Sequence, residues 1–225
     1  MEYTYLLSYP RSGNHWIRYI IEWFSGMYTT GDIYADDSMT IDDDSKLVNP
    51  GDPPLFKKCD MPILHVGPIV KKRHKIYKGE NKDKKLILIQ RDYRESVIRQ
   101  LNIMQVDINK GNFSTIKIEL DKYIDSINTY NTWEREKLLI NYNDLKDLKK
   151  DSVRKLLSFL LLDIDEAKID LFFNNIEFHK KNAFSAVGAK NDTSFYSSGN
   201  IFHSLKIESD ILNDIDKYIK NKLNK

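Results

Sequence analysis

Arg11, Ser12 and Gly13 stand together in the run Ser8-Tyr9-Pro10-Arg11-Ser12-Gly13-Asn14-His15-Trp16. Those residue types suit an anion. The guanidinium brings a fixed positive charge, the hydroxyl brings a donor, and the glycine lets the backbone come close to a phosphate or sulfate. Pro10 stiffens the turn. A second cluster, Arg91-Asp92-Tyr93-Arg94-Glu95-Ser96-Val97-Ile98-Arg99, offers Arg91 and Arg99, whose planar forks match phosphate oxygens. His65, in Ile63-Leu64-His65-Val66-Gly67-Pro68, carries an imidazole that titrates near pH ~6.5 when unperturbed and so can take a proton at neutrality. A lone strand histidine is more often a satisfied core residue, and a base needs a partner geometry. His15, inside the first run, is the second candidate. His74, His179 and His203 read as surface or support residues.

The elements around these residues alternate strand with helix. Residues 3–8 are aromatic and apolar and read as a strand, which Pro10 and Gly13 break. From Asn14 a helix follows, with Ile17, Ile20, Ile21 and Phe24 on one face and Gly26 at its end. Residues 62–66 read as a second strand, followed by a basic stretch, 71–78, of the kind that is usually a solvated face. Leu86-Ile87-Leu88-Ile89 is apolar on both faces, as in a central parallel strand. It leads through Arg91-Asp92 into a helix carrying Val97, Ile98, Leu101 and Met104 on one side. Ile116, Leu120, Tyr123, Ile124 and Ile127 give another amphipathic helix, 138–142 a buried strand, 151–161 a helix, and the tail from Ser209 a last one. Strand–helix alternation predicts a three-layer α/β/α domain with a central parallel sheet, whose ligands sit beyond the carboxyl ends of its strands.

The nine-residue run around Arg11 is not a Walker motif, since no G-x-x-x-x-G-K-[ST] occurs in the chain. It resembles the T-Y-P-K-S-G-T-T-W loop of the sulfotransferases that use 3′-phosphoadenosine-5′-phosphosulfate (PAPS). Tyr9, Pro10, Ser12, Gly13 and Trp16 match; Arg11 replaces the lysine, and Asn14 and His15 replace the two threonines. The run from Arg91 resembles the family's R-(D/N)-P-x-(D/E)-x-x-x-S, with Tyr93 for proline and Arg99 for serine. Asn141-Tyr142-Asn143-Asp144-Leu145-Lys146 resembles Y-E-D-L-K, and Glu177-Phe178-His179-Lys180-Lys181-Asn182 resembles S-F-x-x-M-K-x-N. The resemblance implies a P-loop NTPase-like sulfotransferase fold and PAPS as co-substrate. Arg11, Ser12, Gly13, Asn14 and His15 would hold the 5′-phosphosulfate, and Arg91 and Arg99 the 3′-phosphate. Trp16, Tyr142 and Phe178 would border the adenine. His65 corresponds to the base of the family's K-T-H-x-P segment, with the lysine and threonine lost. Near the C-terminus the family's R-K-G becomes Ser197-Ser198-Gly199. Gly199 is kept and both charges are missing, leaving Arg99 or Lys190 to compensate.

Composition narrows the remaining choices. The 225 residues fit one domain, with 27–60 as a variable loop or lid rich in Asp, Pro and Gly. A net charge of +2 gives no case for nucleic acid. The single Cys59 excludes an internal disulfide framework, and neither a leader-like start nor an apolar run of membrane-spanning length is present, so a soluble cytoplasmic protein is expected. No metal cluster stands out, and sulfuryl transfer needs a metal less than phosphoryl transfer does. The acceptor, a hydroxyl or amine on a small molecule, saccharide, lipid or peptide, is open. Two other readings compete: a nucleotide-dependent kinase on a related fold, and a non-catalytic module that binds a nucleotide or anion.

Overall fold

A computed structural model describes residues 3–27, 29–30, 69–77, 79–110, 113–185 and 207–223. Its sheet is built from β1 (Thr4–Ser8), β2 (Thr29–Thr30), β3 (Val70–Arg73), β4 (Leu86–Gln90) and β5 (Lys137–Asn141). The spatial order is β2-β3-β1-β4-β5, and every pairing among the described strands is parallel. β1 is therefore central, with Tyr5 against Leu86 on one side and Thr4 against Val70 on the other. All five of its residues are buried, as the apolar run requires.

Side chains alternate across the sheet. Leu6, Ile87, Ile89, Leu138 and Ile140 face α1 (Asn14–Ser25), α5 (Lys150–Phe159) and α6 (Glu166–Asn174), in one core with Ile17, Ile20, Ile21, Leu156 and Phe172. On the opposite face Tyr5, Leu7, Leu86 and Leu88 pack with Trp133. Beyond them, α2 (Tyr93–Ile103), α3 (Phe113–Asn131) and α8 (Ser209–Leu223) share a second core built on Val97, Leu101, Leu120, Ile124, Ile215 and Ile219. Two short helices complete the first layer: α4 (Tyr142–Lys146), and α7 (Ile176–Ser185), which packs on α1. The result is the three-layer parallel α/β fold expected from the alternation.

Four features depart from expectation. The strand predicted over 138–142 runs from Lys137 to Asn141, and Tyr142 instead opens α4. Thr29 and Thr30, assigned to the loop, form an edge strand. The buried pair Arg18 and Glu22 on α1 holds it, through Arg18 Nε to Thr29 Oγ1 at 2.7 Å and the Thr29 amide to Glu22 Oε1 at 3.1 Å. Two helices, α6 and α7, occupy 166–185, where periodicity predicts none. The basic stretch is not a solvated face at its start: Val70–Arg73 is strand β3, and Lys71, Lys72 and Arg73 are all buried. Described residues answer Lys71 and Arg73 directly. Lys71 Nζ sits 4.0 Å from the centre of the Tyr3 ring, and Arg73 Nε pairs with the buried Glu80 at 2.6 Å. The strand predicted over 62–66 lies outside the described residues.

Candidate functional site

The turn after β1 has a backbone that few residues tolerate. Arg11 and Gly13 both have positive φ, 67° and 92°. At Gly13 the conformation is only half the reason for glycine: a Cβ there would lie 2.9 Å from Tyr142 Cδ2. The turn hands directly into α1, whose first bonds run from the amides of Trp16 and Ile17 to the Gly13 carbonyl. No side chain caps that helix start and no acid lies in its first turn. A helix start of this kind presents N–H groups and a positive dipole end that suit an anion. Ser12 Oγ and Asn14 Oδ1 are buried and have no hydrogen-bond partner among the described residues, while Asn14 Nδ2 reaches Ser8 Oγ at 3.4 Å. Orphaned buried polar atoms of this kind are rare unless something binds beside them.

The loop is tied down from below and from the side. Tyr9 donates to Glu119 Oε2 at 2.6 Å. Burial, and then the Glu119 carboxylate, push the Tyr9 phenol up, so it stays a donor. Arg11 Nε donates to Gln100 Oε1 at 3.1 Å on α2. Arg91, at the end of β4, donates from Nη1 to the Arg11 carbonyl at 2.8 Å and pairs with Glu95 at 3.2 Å. Its guanidinium lies 3.9 Å over the Tyr142 ring, on the ring that also blocks any side chain at Gly13. Tyr142 is thus a packing plate between the loop and Arg91. Arg99 is buried on α2, and burial, with Arg91 and Arg11 adding to it, holds its guanidinium below the usual arginine range. Three arginines crowd one buried corner at the carboxyl ends of β1 and β4. Burial and the neighbouring guanidiniums disfavour the charged form of Arg99 there, and an anion beside it would favour that form. The groups present therefore fit a phosphorylated or sulfated ligand.

The structure brings together Arg11, Ser12, Gly13, Asn14, Arg91, Arg99 and Tyr142. His15 is half-buried in the first turn of α1. Trp16 is half-buried and engaged with the protein: it stacks on Tyr19 at 5.8 Å and donates from Nε1 to the Leu145 carbonyl at 3.3 Å. Phe178 is 61% exposed on α7 and meets His179 edge-on at 5.6 Å, so Trp16 and Phe178, two of the three expected adenine neighbours, lie on different helices with no mutual ring contact. His179 belongs to the core, stacked on Phe172 at 4.3 Å and bonded to the Tyr19 hydroxyl at 2.9 Å. His65 and Gly199 lie outside the described residues.

His74, which reads from sequence as a surface or support residue, joins the site. It follows β3, and its Nδ1 lies 2.6 Å from the Ser8 carbonyl, at the base of the loop. A carbonyl only accepts, so Nδ1 carries the proton and Nε2 the lone pair of a neutral ring. Burial, reinforced by Lys72, lowers its pKa to about 4. A signal for it exists in the sequence: Lys72-Arg73-His74 keeps the lysine and histidine of a K-T-H triplet that His65 matches only in the histidine.

No protein-family model matches the sequence, and no curated protein matches it either. Solved structures do. The chain is similar to mouse sulfotransferase SULT7A1 complexed with PAP, at 16% identity and TM-score 0.56, over 98% of this chain and 82% of that one. It is similar to retinol dehydratase in complex with androsterone and the inactive cofactor PAP, at 14% identity and TM-score 0.62. A second retinol dehydratase complex, with retinol and PAP, aligns at 14% identity and TM-score 0.60; in both cases 98% of this chain and 80% of the other are covered. The chain has the sulfotransferase fold.

Proposed function

We propose that this protein transfers a sulfuryl group from PAPS to a hydroxyl or amine of a small molecule. The observation that carries the reading is the corner where Arg11, Arg91 and Arg99 meet the uncapped start of α1 and the orphaned Ser12 hydroxyl. A ligand with separated anionic groups satisfies all of them. That similar folds are crystallised with PAP, and in two cases with retinol or androsterone, supports both the donor and a small-molecule acceptor.

PAPS, when bound, supplies the sulfuryl group and a good leaving bisphosphate. The backbone of Ser12 to Asn14 would grip the 5′-phosphosulfate, and Arg91 and Arg99 the 3′-phosphate. Trp16 and Phe178 would flank the adenine, while His15 would line the donor loop. Arg11 would meet the charge that builds on the departing phosphate oxygen as the bond from sulfur to that oxygen breaks. A histidine would take the proton from the acceptor as its oxygen or nitrogen bonds to sulfur. His65 is the residue the resemblance implies for that role. A second assignment, to His74, is favoured by its place at the strand end beside the loop and by a tautomer that presents Nε2 as acceptor. His65→Ala and His74→Ala tested in parallel decide between them: the true base loses turnover and keeps nucleotide binding.

The first test of the whole reading is calorimetric titration with PAP, with ATP and AMP as controls. Tight binding that depends on the 3′-phosphate is the expected result. A preference for ATP would turn the reading to a kinase, and PAP binding without transfer to any acceptor would turn it to a binding module.

A further inference from the structure

α3 carries two side chains that the chemistry does not require and that nonetheless reach both halves of the site. Glu119 and Tyr123 are four residues apart and so share one side of the helix. At one end, Glu119 is buried and accepts from the Tyr9 hydroxyl at 2.6 Å, two residues before Arg11. Lys122 Nζ pairs with its other oxygen at 2.6 Å. At the other end, the Tyr123 hydroxyl donates to the carbonyl of Arg91 at 2.9 Å. The Tyr9 and Tyr123 rings meet edge-to-face at 5.8 Å, so the two ends also touch each other. The bond from Arg91 Nη1 to the Arg11 carbonyl closes the circuit. Loop, helix and arginine form one buried ring of contacts. α3 itself is held on its apolar side by Ile116, Leu120 and Ile124, and at Asp121 by the Tyr218 hydroxyl of α8 at 2.6 Å.

We propose that Glu119 and Tyr123 form a brace that fixes the span between the loop after β1 and Arg91, and that this span selects nucleotides phosphorylated at both the 5′ and 3′ positions. The inference rests on the donor-site reading above. A monophosphate needs one half of the site in good order. A bisphosphate needs both halves at a set separation, and a misplacement near ~1 Å is felt strongly in such a clamp. Glu119 and Tyr123 touch no ligand in this scheme; they are positioning residues.

The test measures affinity for PAP, AMP and adenosine 3′-monophosphate in the wild type and in Tyr123→Phe, Glu119→Ala and Glu119→Gln. Tyr123→Phe and Glu119→Ala are expected to weaken PAP about tenfold while each monophosphate changes by less than about twofold. Glu119→Gln keeps an acceptor for the Tyr9 hydroxyl and is expected to stay near the wild type. A merely structural role would lower all three affinities together, and that result, or unchanged PAP affinity, overturns the brace. If Glu119→Ala fails to fold, Tyr123→Phe, which keeps the ring contact with Tyr9, decides alone. A wild type that binds PAP no better than AMP overturns the donor-site reading and the brace with it. A wild type that prefers PAP, beside variants that keep that preference, overturns the brace only.

Discussion

Two helices begin at the site, and they begin in opposite ways. α1 starts uncapped among the described residues: Gly13 precedes it in a left-handed conformation and offers no side-chain cap. α2 starts closed, with the Asp92 carboxylate accepting from the Arg94 amide at 2.7 Å and Glu95 in the first turn. In the function proposed above, the first would hold an anion with backbone and the second with the side chains of Arg91 and Arg99, its own helix dipole already answered by acids. A backbone site depends on conformation and tolerates the loss of a single side chain in binding. A side-chain site depends on charge. The two halves should therefore fail differently when altered.

The largest expected effect falls on the backbone half, and in rate rather than affinity. Arg11 is the charged side chain of the α1 loop. Arg11→Met should lower turnover by roughly 10²–10³-fold, as removal of a donor aimed at developing charge does. PAP affinity should change far less, because the amides remain. Steady-state rates and PAP titration on the same preparation check this. Near-normal turnover would remove Arg11 from the chemistry, and an equal loss in affinity would break the distinction between the halves.

His74 sharpens the same contrast through pH. Its imidazole is held neutral under the loop, with a pKa of about 4 against an unfolded value near ~6.5. Between those values the unfolded chain binds the proton and the folded chain does not. Stability should thus be fully present above pH ~6.5 and fall with decreasing pH, by as much as ~3 kcal/mol at pH ~4 from this group. Urea midpoints at pH ~7 and ~4.5, for the wild type and His74→Gln, isolate the contribution; a wild type and variant that fall equally would mean that the ring is not held neutral. The acid limb of kcat/KM carries separate information: at about pH 4 if His74 is the base, near pH ~6.5 if an unperturbed His65 is.

The charged half is probed most directly at Arg99, the residue that stands where the resembling pattern has serine. Arg99→Met should weaken PAP by about tenfold and leave AMP nearly unchanged, with a reduced dependence of PAP affinity on salt. An equal loss for both ligands would mean that Arg99 supports the fold of α2 and not the 3′-phosphate.

Legibility in the sequence follows the same division. β1, the loop, α1 and β4 are readable because apolar runs, Pro10, Gly13 and Gly26 are local signals that act on their own neighbours. β3 is not, because Lys71, Lys72 and Arg73 look solvated until Tyr3, which precedes β1, and Glu80, seven residues beyond Arg73, are seen to answer two of them. His74 escapes for the same reason: its bond to Ser8 exists only once β3 lies beside β1. α6 and α7 are hard to read because their patterns are mixed, with Phe172 and His179 buried while Leu171 and Phe178 stand in solvent. Tyr142 is expected from the resemblance beside the adenine, whereas its place against Gly13 and under Arg91 is a three-body contact that no single segment encodes.

The smallest effect is the cleanest test of why the loop needs glycine. Gly13 and Gly26 bracket α1, both with positive φ, 92° and 67°. At Gly26 an added Cβ would meet nothing within 4 Å, and the amide simply closes the helix by donating to the Glu22 carbonyl at 2.9 Å. Gly26→Ala should therefore cost only the backbone strain of a left-handed residue, about 1 kcal/mol, and leave PAP affinity untouched. Gly13→Ala adds the approach to Tyr142 at 2.9 Å and so displaces the plate on which Arg91 rests. Its stability cost should exceed that of Gly26→Ala, and it alone should weaken PAP. Chemical denaturation of both variants measures the first difference and titration the second. Equal costs with equal binding would mean that the loop uses Gly13 for its conformation alone, and that the contact with Tyr142 relaxes freely.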